Sequence, residues 1–201
     1  AHVIILARNE AKMKALQDEH GISYHVCDLR NIDIVQQVFK HVIETTGIDI
    51  LINNSWIRHE WETENCDPQK LKDLLQVNTQ WPILCTQQVI PHMKTKKEGQ
   101  ILNVVSIAWL DKCPERSIYA ASKSAITQFT NSTQQELQAF WIKVMWIYPW
   151  GMDTQIFETA WTYQWVADRM MNKEHVADII IYMLSQPKDV IMNNVEVRKF
   201  G

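Results

Sequence analysis

The sequence predicts an α/β protein built around a doubly wound, parallel β-sheet. Short apolar runs rich in β-branched residues alternate with longer stretches of helical period, which is the pattern of βα units. Several of the short runs are apolar on successive residues, as strands covered on both faces must be. These two observations together predict a three-layer αβα arrangement.

Each element rests on its own stretch of sequence. The strands are predicted, in chain order, at HVIIL (2–6), ISYHV (22–26), IDILIN (48–53), QILNVVS (100–106), IKVMWI (142–147) and NVEVR (194–198). The stretches of helical period between them predict helices at 9–20, 31–46, 67–95, 117–140 and 173–186. No linker rich in Pro, Gly or Ser and no repeat interrupts the chain, so residues 1–201 are predicted to form one domain.

Composition excludes several kinds of partner. The chain has 20 basic and 23 acidic residues and a net charge of −3, which gives no electrostatic reason to expect nucleic acid or an anionic membrane. Its four cysteines form no C-x-x-C pair, and no H-E-x-x-H motif occurs, so we expect no metal. No apolar run approaches the ~20 residues that cross a bilayer, and no signal peptide is present. We therefore expect a cytoplasmic protein that acts on small molecules.

The sequence YAASK places Tyr119 and Lys123 one turn apart on one face of a predicted helix. A phenol has a pKa of about 10 and is a poor acid-base catalyst, but an adjacent ammonium group lowers that pKa. The pair therefore predicts a tuned proton donor. Taken alone, Tyr and Lys at this spacing more often mark an ordinary helix surface.

Polar residues at other element ends strengthen the catalytic interpretation. Ser106 ends the strand that precedes Tyr119, at the edge where open α/β sheets place ligands, although a lone Ser there can simply begin a turn. Asn53 ends another strand. Asn78 falls inside a long predicted helix, either as a solvated surface residue or as a point where the backbone opens for a buried water.

These pieces together resemble the short-chain dehydrogenase/reductase family, classical type, over essentially all 201 residues. The resemblance rests on an ordered set of motifs and on the spacing from the serine to the tyrosine. The motifs are VIILARN, CDL, IDILINN, VNT, GQILNVVS, YAASKSA and YP followed by DT. The resemblance implies a Rossmann-type fold and hydride transfer between a nicotinamide dinucleotide and an alcohol or carbonyl.

The resemblance also implies roles for individual residues. Tyr119 would be the acid-base, Ser106 would polarise the carbonyl, Lys123 would lower the tyrosine pKa and bind the nicotinamide ribose, and Asn78 would support a water-mediated proton relay. The residues matching cofactor-binding positions are Asp28 and Leu29 beside the adenine, Asn53 near its ribose, and Pro149 and Thr154 on the nicotinamide side. Dimers or tetramers formed through helices 67–95 and 117–140 are implied in the same way.

The end of the first predicted strand bears on cofactor choice. In the family an acidic residue there accepts the ribose hydroxyls of NAD, whereas an Arg just after it pairs with the extra phosphate of NADP. Here Arg8 follows the strand and no acid occurs until Glu10. NADP(H) is therefore favoured over NAD(H).

The sequence departs from the family at its start. The family begins with a strand and a glycine-rich turn, T-G-x-x-x-G-x-G, that holds the pyrophosphate, whereas residue 1 stands at the threshold of the next strand. We expect a fragment of a longer gene product that lacks the first βα unit. A non-catalytic Rossmann-type protein that binds a dinucleotide or a partner is the rival interpretation. The substrate is expected to be set by residues 57–66, 107–118 and 155–172, in which no code is readable.

Tryptophan is the second departure. Glycine occurs only five times and tryptophan nine times, whereas glycine normally supplies about 7% of residues. Six tryptophans stand at positions where the family has, or commonly has, glycine: Trp56, Trp81, Trp109, Trp141, Trp146 and Trp150. The other three, Trp61, Trp161 and Trp165, lie in predicted loops where glycine would be unsurprising. An aromatic substrate pocket accounts for the last three but is not expected to account for Trp56 or Trp150.

We hypothesise that these tryptophans are glycines in the natural protein, because some bacteria read UGA as glycine while a translation table can report it as tryptophan. Random drift in an inactive gene is the weaker rival, since it would not spare Ser106, Tyr119 and Lys123. The coding DNA should then carry UGA at all nine positions. The tryptic peptide 124–143 of the native protein should have the mass expected with glycine at position 141, while peptide 31–40, which has no tryptophan, serves as the mass control. UGG codons, or a peptide with the tryptophan mass, would end this hypothesis.

Overall fold

The computed structural model describes residues 1–110, 114–154 and 170–200, without the side chain of Trp109. Every strand in these residues pairs in parallel with a neighbouring strand. The chain divides into two compact units, Ala1–Gly47 and Ile48–Gly201, each with its own sheet. The α/β fold class is confirmed.

The first unit, Ala1–Gly47, alternates strands and helices. Its elements are β1 (Ile4–Ala7), α1 (Glu10–His20), β2 (Ser23–Val26) and α2 (Ile32–Thr45). Asn9 begins α1, because its side chain accepts a hydrogen bond from the backbone N–H of Lys12 at 3.0 Å. Gly21 ends the helix in the left-handed conformation, at φ 67°, which glycine adopts without steric cost.

The second unit, Ile48–Gly201, contains a sheet of four strands in the order β3-β4-β5-β6. These strands are β3 (Ile50–Asn53), β4 (Gly99–Val104), β5 (Ile142–Pro149) and β6 (Val195–Val197). The α-helices described in this unit are α3 (Pro68–Leu75), α4 (Trp81–Lys96), α5 (Ser117–Leu137) and α6 (Lys173–Leu184). Apart from the helix predicted at 67–95, the predicted strands and helices are confirmed, with ends that differ by a few residues.

Strand β5 is the centre of the hydrophobic core in this unit, since all eight of its residues are buried. Met145 and Ile147 face a cluster that includes Val176 and Met183 of α6. The intervening residues of β5 face Ile126 of α5 on the other side. Helices therefore cover both faces of the strand, which is why its sequence is apolar without alternation.

The predicted helix 67–95 is wrong as a continuous α-helix. It consists of α3, a π-helical turn at Gln76–Gln80 and α4. Asn78 lies inside the π-helical turn and is 1% exposed, so the alternative of a solvated surface Asn is wrong. A π-helical turn widens the backbone locally and is frequent at functional sites. Among the described residues, no helix is long and apolar enough to span a membrane.

Trp141 occupies a backbone position that suits glycine. It ends a 3-10 turn, Gln138–Phe140, that follows α5, and its φ of 59° lies in the left-handed region. A side chain with a Cβ is strained there by about 1 to 2 kcal/mol. The indole is 56% exposed, so little burial compensates for that strain.

Replacing Trp141 with glycine is therefore expected to stabilise the protein, despite the loss of the contact between the Lys188 ammonium and the indole ring at 5.9 Å. Urea unfolding should show a free energy of unfolding higher by about 1 kcal/mol. Trp141→Ala is the matched control, because it removes the same indole but keeps the Cβ and hence the strain. Equal stabilities of the two variants would contradict the assignment of the effect to the backbone.

Candidate active site

The carboxyl ends of three neighbouring strands place the candidate residues at one edge of the four-stranded sheet. Because β3, β4 and β5 are parallel, Asn53, Ser106 and Pro149 all lie at the ends where these strands leave the sheet. The backbone N–H of Val105 donates to the carbonyl of Ile147 at 2.9 Å, so the segment leading to Ser106 stays paired beyond β4. This edge is where ligands bind in open α/β sheets.

Ser106 is held in place by the turn that follows it. Its backbone is extended, and its hydroxyl oxygen accepts a hydrogen bond from the N–H of Ala108 at 3.1 Å at the start of a short 3-10 turn. Its side chain is close enough to Tyr119 to act as a hydrogen-bond partner, which by itself lowers the pKa of the phenol. Ser106 and Tyr119 are thus brought together as the sequence predicted.

Tyr119 and Lys123 lie on the buried face of α5, where they are 5% and 2% exposed. The interpretation of this pair as an ordinary helix surface is therefore wrong. The Lys123 ammonium donates to the carbonyl of Val104 at 3.4 Å, and its Nζ lies 5.8 Å from the centre of the Tyr119 ring. The helix thus directs both groups toward the end of β4.

The expectation of a lowered tyrosine pKa is wrong for this arrangement. Burial raises the pKa of Tyr119 to about 12, and it outweighs the hydrogen bond from Ser106 and the positive charges of Arg58 and Arg116, which act in the opposite direction. Burial also lowers the pKa of Lys123 to about 7. Because such an amine is largely neutral above that pH, it is a weak stabiliser of a phenolate.

Asn78 clamps the chain segment beside the site. Its amide oxygen accepts from the N–H of Ile57 and its amide nitrogen donates to the carbonyl of the same residue, both at 2.9 Å. The amide nitrogen also donates to the hydroxyl of Ser122 in α5 at 3.2 Å. The side chain therefore fixes residue 57 against α5, a positioning function that the sequence did not reveal.

Asn53 belongs to a buried polar network. Its amide nitrogen donates to the side-chain oxygen of Asn103 in β4 at 2.7 Å and to the hydroxyl of Thr86 in α4 at 3.3 Å. Asn103 in turn donates to Thr130 of α5 at 2.8 Å. Sequence reasoning missed the other three residues, because nothing in their spacing along the chain indicates that they meet.

A cleft opens at this edge, and Ser106, Tyr119 and Pro149 line it. Trp56 and Trp150 form part of its walls, so the expectation that an aromatic pocket would not account for them is wrong. The Trp56 ring lies 6.1 Å from the Tyr119 ring. Trp161 and Trp165 lie outside the described residues.

Two arginines that the sequence reasoning missed also line the cleft. They are Arg58, which follows the clamped Ile57, and Arg116, which precedes α5. Both guanidinium groups pair with the carboxylate of Glu60, Arg116 at 2.9 Å. Burial acts to raise the pKa of Glu60, but the two cations outweigh it and the pKa is lowered. Glu60 is therefore a carboxylate at neutral pH.

The remaining predicted residues lie near strand ends of their own units. Arg8 is exposed just after β1, and its charge contributes to lowering the pKa of Asp28. The hydrogen bond from Arg30 is the main cause that lowers this pKa, to about 2. Leu29 is half-buried beside Asp28. In the second unit the Thr154 hydroxyl is buried and has no hydrogen-bond partner among the described residues.

Comparison with known proteins decides the family. Residues 1–165 match the family model described as short chain dehydrogenase. The chain belongs to the short-chain dehydrogenase family. It is therefore an oxidoreductase of CH–OH groups, and the resemblance inferred from its motifs is confirmed.

Individual relatives of this short-chain dehydrogenase are distant in sequence but similar in fold. An uncharacterized oxidoreductase of Staphylococcus saprophyticus is 26% identical over 203 residues, which are 98% of this chain and 86% of the relative. The closed form of a serine dehydrogenase complexed with NADP+ has a TM-score of 0.91 at 20% identity, covering 98% of this chain and 85% of that one. An alcohol dehydrogenase of Thermococcus sibiricus complexed with 5-hydroxy-NADP has a TM-score of 0.85 at 18% identity, with the same coverage.

The buried amine of Lys123 is expected to make stability depend on pH. In the unfolded chain the amine keeps its proton up to a pKa of 10.5, but in the folded protein only up to about 7. Unfolding therefore takes up a proton between these values, and the free energy of unfolding rises with pH across the window. Lys123→Met should remove this rise and should stabilise the protein at pH 7 by about 2 to 4 kcal/mol.

Urea unfolding of both proteins at pH 7 and pH 9.5 measures the effect. Both pH values lie below the range in which Tyr119, whose pKa is raised from 10 to about 12, affects stability. Lys40→Met is the control, because the Lys40 side chain is 75% exposed. A rise between the two pH values that is equal in wild type and Lys123→Met would contradict the assignment.

Proposed function

We propose that the protein is an NADP(H)-dependent oxidoreductase that interconverts a carbonyl and an alcohol, with Tyr119 as the acid-base. The observation that carries this proposal is the position of Ser106 beside Tyr119 in one cleft at the carboxyl edge of the sheet. Lys123, one turn further along α5, completes the set. The family membership of the chain supports the same reaction class.

Each residue has a defined task in the reductive direction. When bound, the reduced nicotinamide supplies the hydride. Ser106 hydrogen-bonds the substrate oxygen, and the Tyr119 phenol gives that oxygen its proton. Burial keeps the proton on Tyr119, since its pKa is about 12, until the more basic alkoxide oxygen develops beside it.

The nicotinamide side of the cofactor would be held by Lys123, Pro149 and Thr154. The buried hydroxyl of Thr154, which has no partner among the described residues, fits a polar group of a ligand. Pro149 lines the cleft at the end of β5. Lys123 would bind the nicotinamide ribose.

We propose that NADP(H) is preferred to NAD(H). In the first unit, the guanidinium of Arg8 is exposed after β1 and suits the extra phosphate, and Asp28 and Leu29 would hold the adenine. In the second unit, Asn53 is the residue that the resemblance assigns to the adenine ribose. Solved relatives that carry NADP+ or 5-hydroxy-NADP support binding of this cofactor in the family. Asn78 would support a water-mediated proton relay, which its position in a π-helical turn favours.

Assembly and location complete the proposal. The resemblance favours a homodimer or homotetramer formed through the long helices, which here are α4 and α5. The cytoplasm is the proposed location, because the four cysteines are widely separated along the chain and form no C-x-x-C pair.

One observation favours a non-catalytic dinucleotide-binding or partner-binding protein as the second candidate. Trp56 stands where the family has glycine, and its ring lies 5.6 Å from the Nζ of Lys123 as well as beside Tyr119. An indole at this place narrows the approach to both groups.

Steady-state assays of the protein expressed from its complete gene distinguish the two candidates. Oxidation of NADPH and of NADH is measured against a panel of aldehydes and ketones. We expect faster turnover with NADPH, and a loss of about 100- to 10,000-fold in kcat in Tyr119→Phe because the general acid is removed. Tyr182→Phe is the control, since Tyr182 is 60% exposed on α6. Equal rates in wild type and Tyr119→Phe would exclude acid-base catalysis by this residue.

A further inference from the structure

We infer that the cleft takes substrates that carry a carboxylate or an equivalent anionic group, and that Arg58 and Arg116 bind this group beside Ser106 and Tyr119. This inference rests on the proposed function and adds the substrate class to it. The two guanidinium groups line the same cleft as the proposed catalytic residues.

The charges around the cleft favour an anion. Arg58 and Arg116 both pair with the carboxylate of Glu60, so these three side chains together carry one net positive charge. Glu60 is not among the residues that line the cleft, and none of the described lining residues is acidic. The two arginines, and not Glu60, therefore form part of the cleft wall.

Low exposure makes these charges effective. The side chains of Arg58 and Glu60 are 10% and 15% exposed, and that of Arg116 is 29% exposed. An ion pair formed in such surroundings is screened less by water and salt than one on the surface. A guanidinium group is also suited to bidentate hydrogen bonding with a carboxylate.

The backbone holds the cluster in position before a ligand arrives. Asn78 fixes both polar backbone groups of Ile57, the residue before Arg58, at 2.9 Å. The N–H of Trp61 donates to the carbonyl of Glu115, the residue before Arg116, at 2.9 Å. Because hydrogen bonds hold the backbone on both sides of the cluster, little conformational entropy is lost when a ligand binds.

In the alternative, Arg58, Glu60 and Arg116 only hold the segment around residue 58 against the segment before α5. Replacement of Glu60 distinguishes this structural role from an anion site. Glu60→Gln removes the internal carboxylate that competes for the arginines, so an anion site should gain affinity for carboxylates. A purely structural clasp should lose activity on all substrates in Glu60→Gln as it does in the arginine variants.

The test compares 2-oxo and 3-oxo carboxylates of four to six carbons with their methyl esters, which keep the carbonyl but lack the charge. We expect a kcat/KM about 10- to 100-fold higher for the acids than for the esters, since hydrogen bonds to charged groups have this strength. Arg116→Gln and Arg58→Gln should abolish this preference, because they lower kcat/KM for the acids far more than for the esters. Arg116→Lys should retain part of it, and the exposed control Lys40→Gln all of it.

Calorimetric titration with pentanoate and with pentanamide gives a second readout that does not depend on turnover. We expect binding of pentanoate that is lost in Arg116→Gln and no comparable binding of pentanamide. Equal kcat/KM for acids and esters in the wild type, or a loss of equal size for both in Arg116→Gln, would overturn the inference while the proposed function stands. If no carbonyl compound is turned over, the proposed function fails, and the titrations then decide this inference alone: selective pentanoate binding supports it and its absence overturns it.

Discussion

The parallel pairing of β4 with β5 is the constraint on which the second unit depends. Residues Gly99–Val104 lie opposite Ile142–Ile147, and a shift by one residue would exchange the two faces of the buried β5. Close packing supports this register at its start, since a Cβ at Gly99 would lie 2.4 Å from the sulfur of Met93 in α4. The carboxyl ends of the same two strands lie at the cleft. One strand pairing therefore positions both the hydrophobic core and the candidate site.

Burial has opposite effects on the stability of the fold and on the chemistry of the site. It packs α5 against the sheet, and in doing so it removes Tyr119 and Lys123 from water. Both groups respond by favouring their neutral forms, the tyrosine through a raised pKa and the lysine through a lowered one. A charged amine in this place costs stability, which is typical of residues retained for function. The hydrogen bond from Ser106 and the guanidinium groups of Arg58 and Arg116 offset the rise in the pKa of Tyr119 only in part.

The tryptophans do not form one structural class. Trp141 occupies a left-handed backbone position that glycine would fill without strain. Trp81 is 1% exposed, and its indole N–H has no hydrogen-bond partner among the described residues, which is costly for a buried donor. Trp56 and Trp150, in contrast, find space in the walls of the cleft. At some sites, tryptophan in place of the family's glycine therefore strains the structure. At the cleft, the same replacement affects which molecules can enter.

The sequence by itself determined the fold class and the order of strands and helices, and it predicted the candidate catalytic residues, because these depend on local properties: periodicity, caps and the spacing in YAASK. It also predicted that residues 57–66, 107–118 and 155–172 set the substrate, and the last of these segments lies largely outside the described residues. Only the tertiary structure placed Arg58 and Arg116 together on Glu60, tied Asn78 to Ile57, and reversed the expected shift in the pKa of Tyr119. These features depend on contacts between segments distant in the chain and on the loss of water around them, and no local pattern of residues records either.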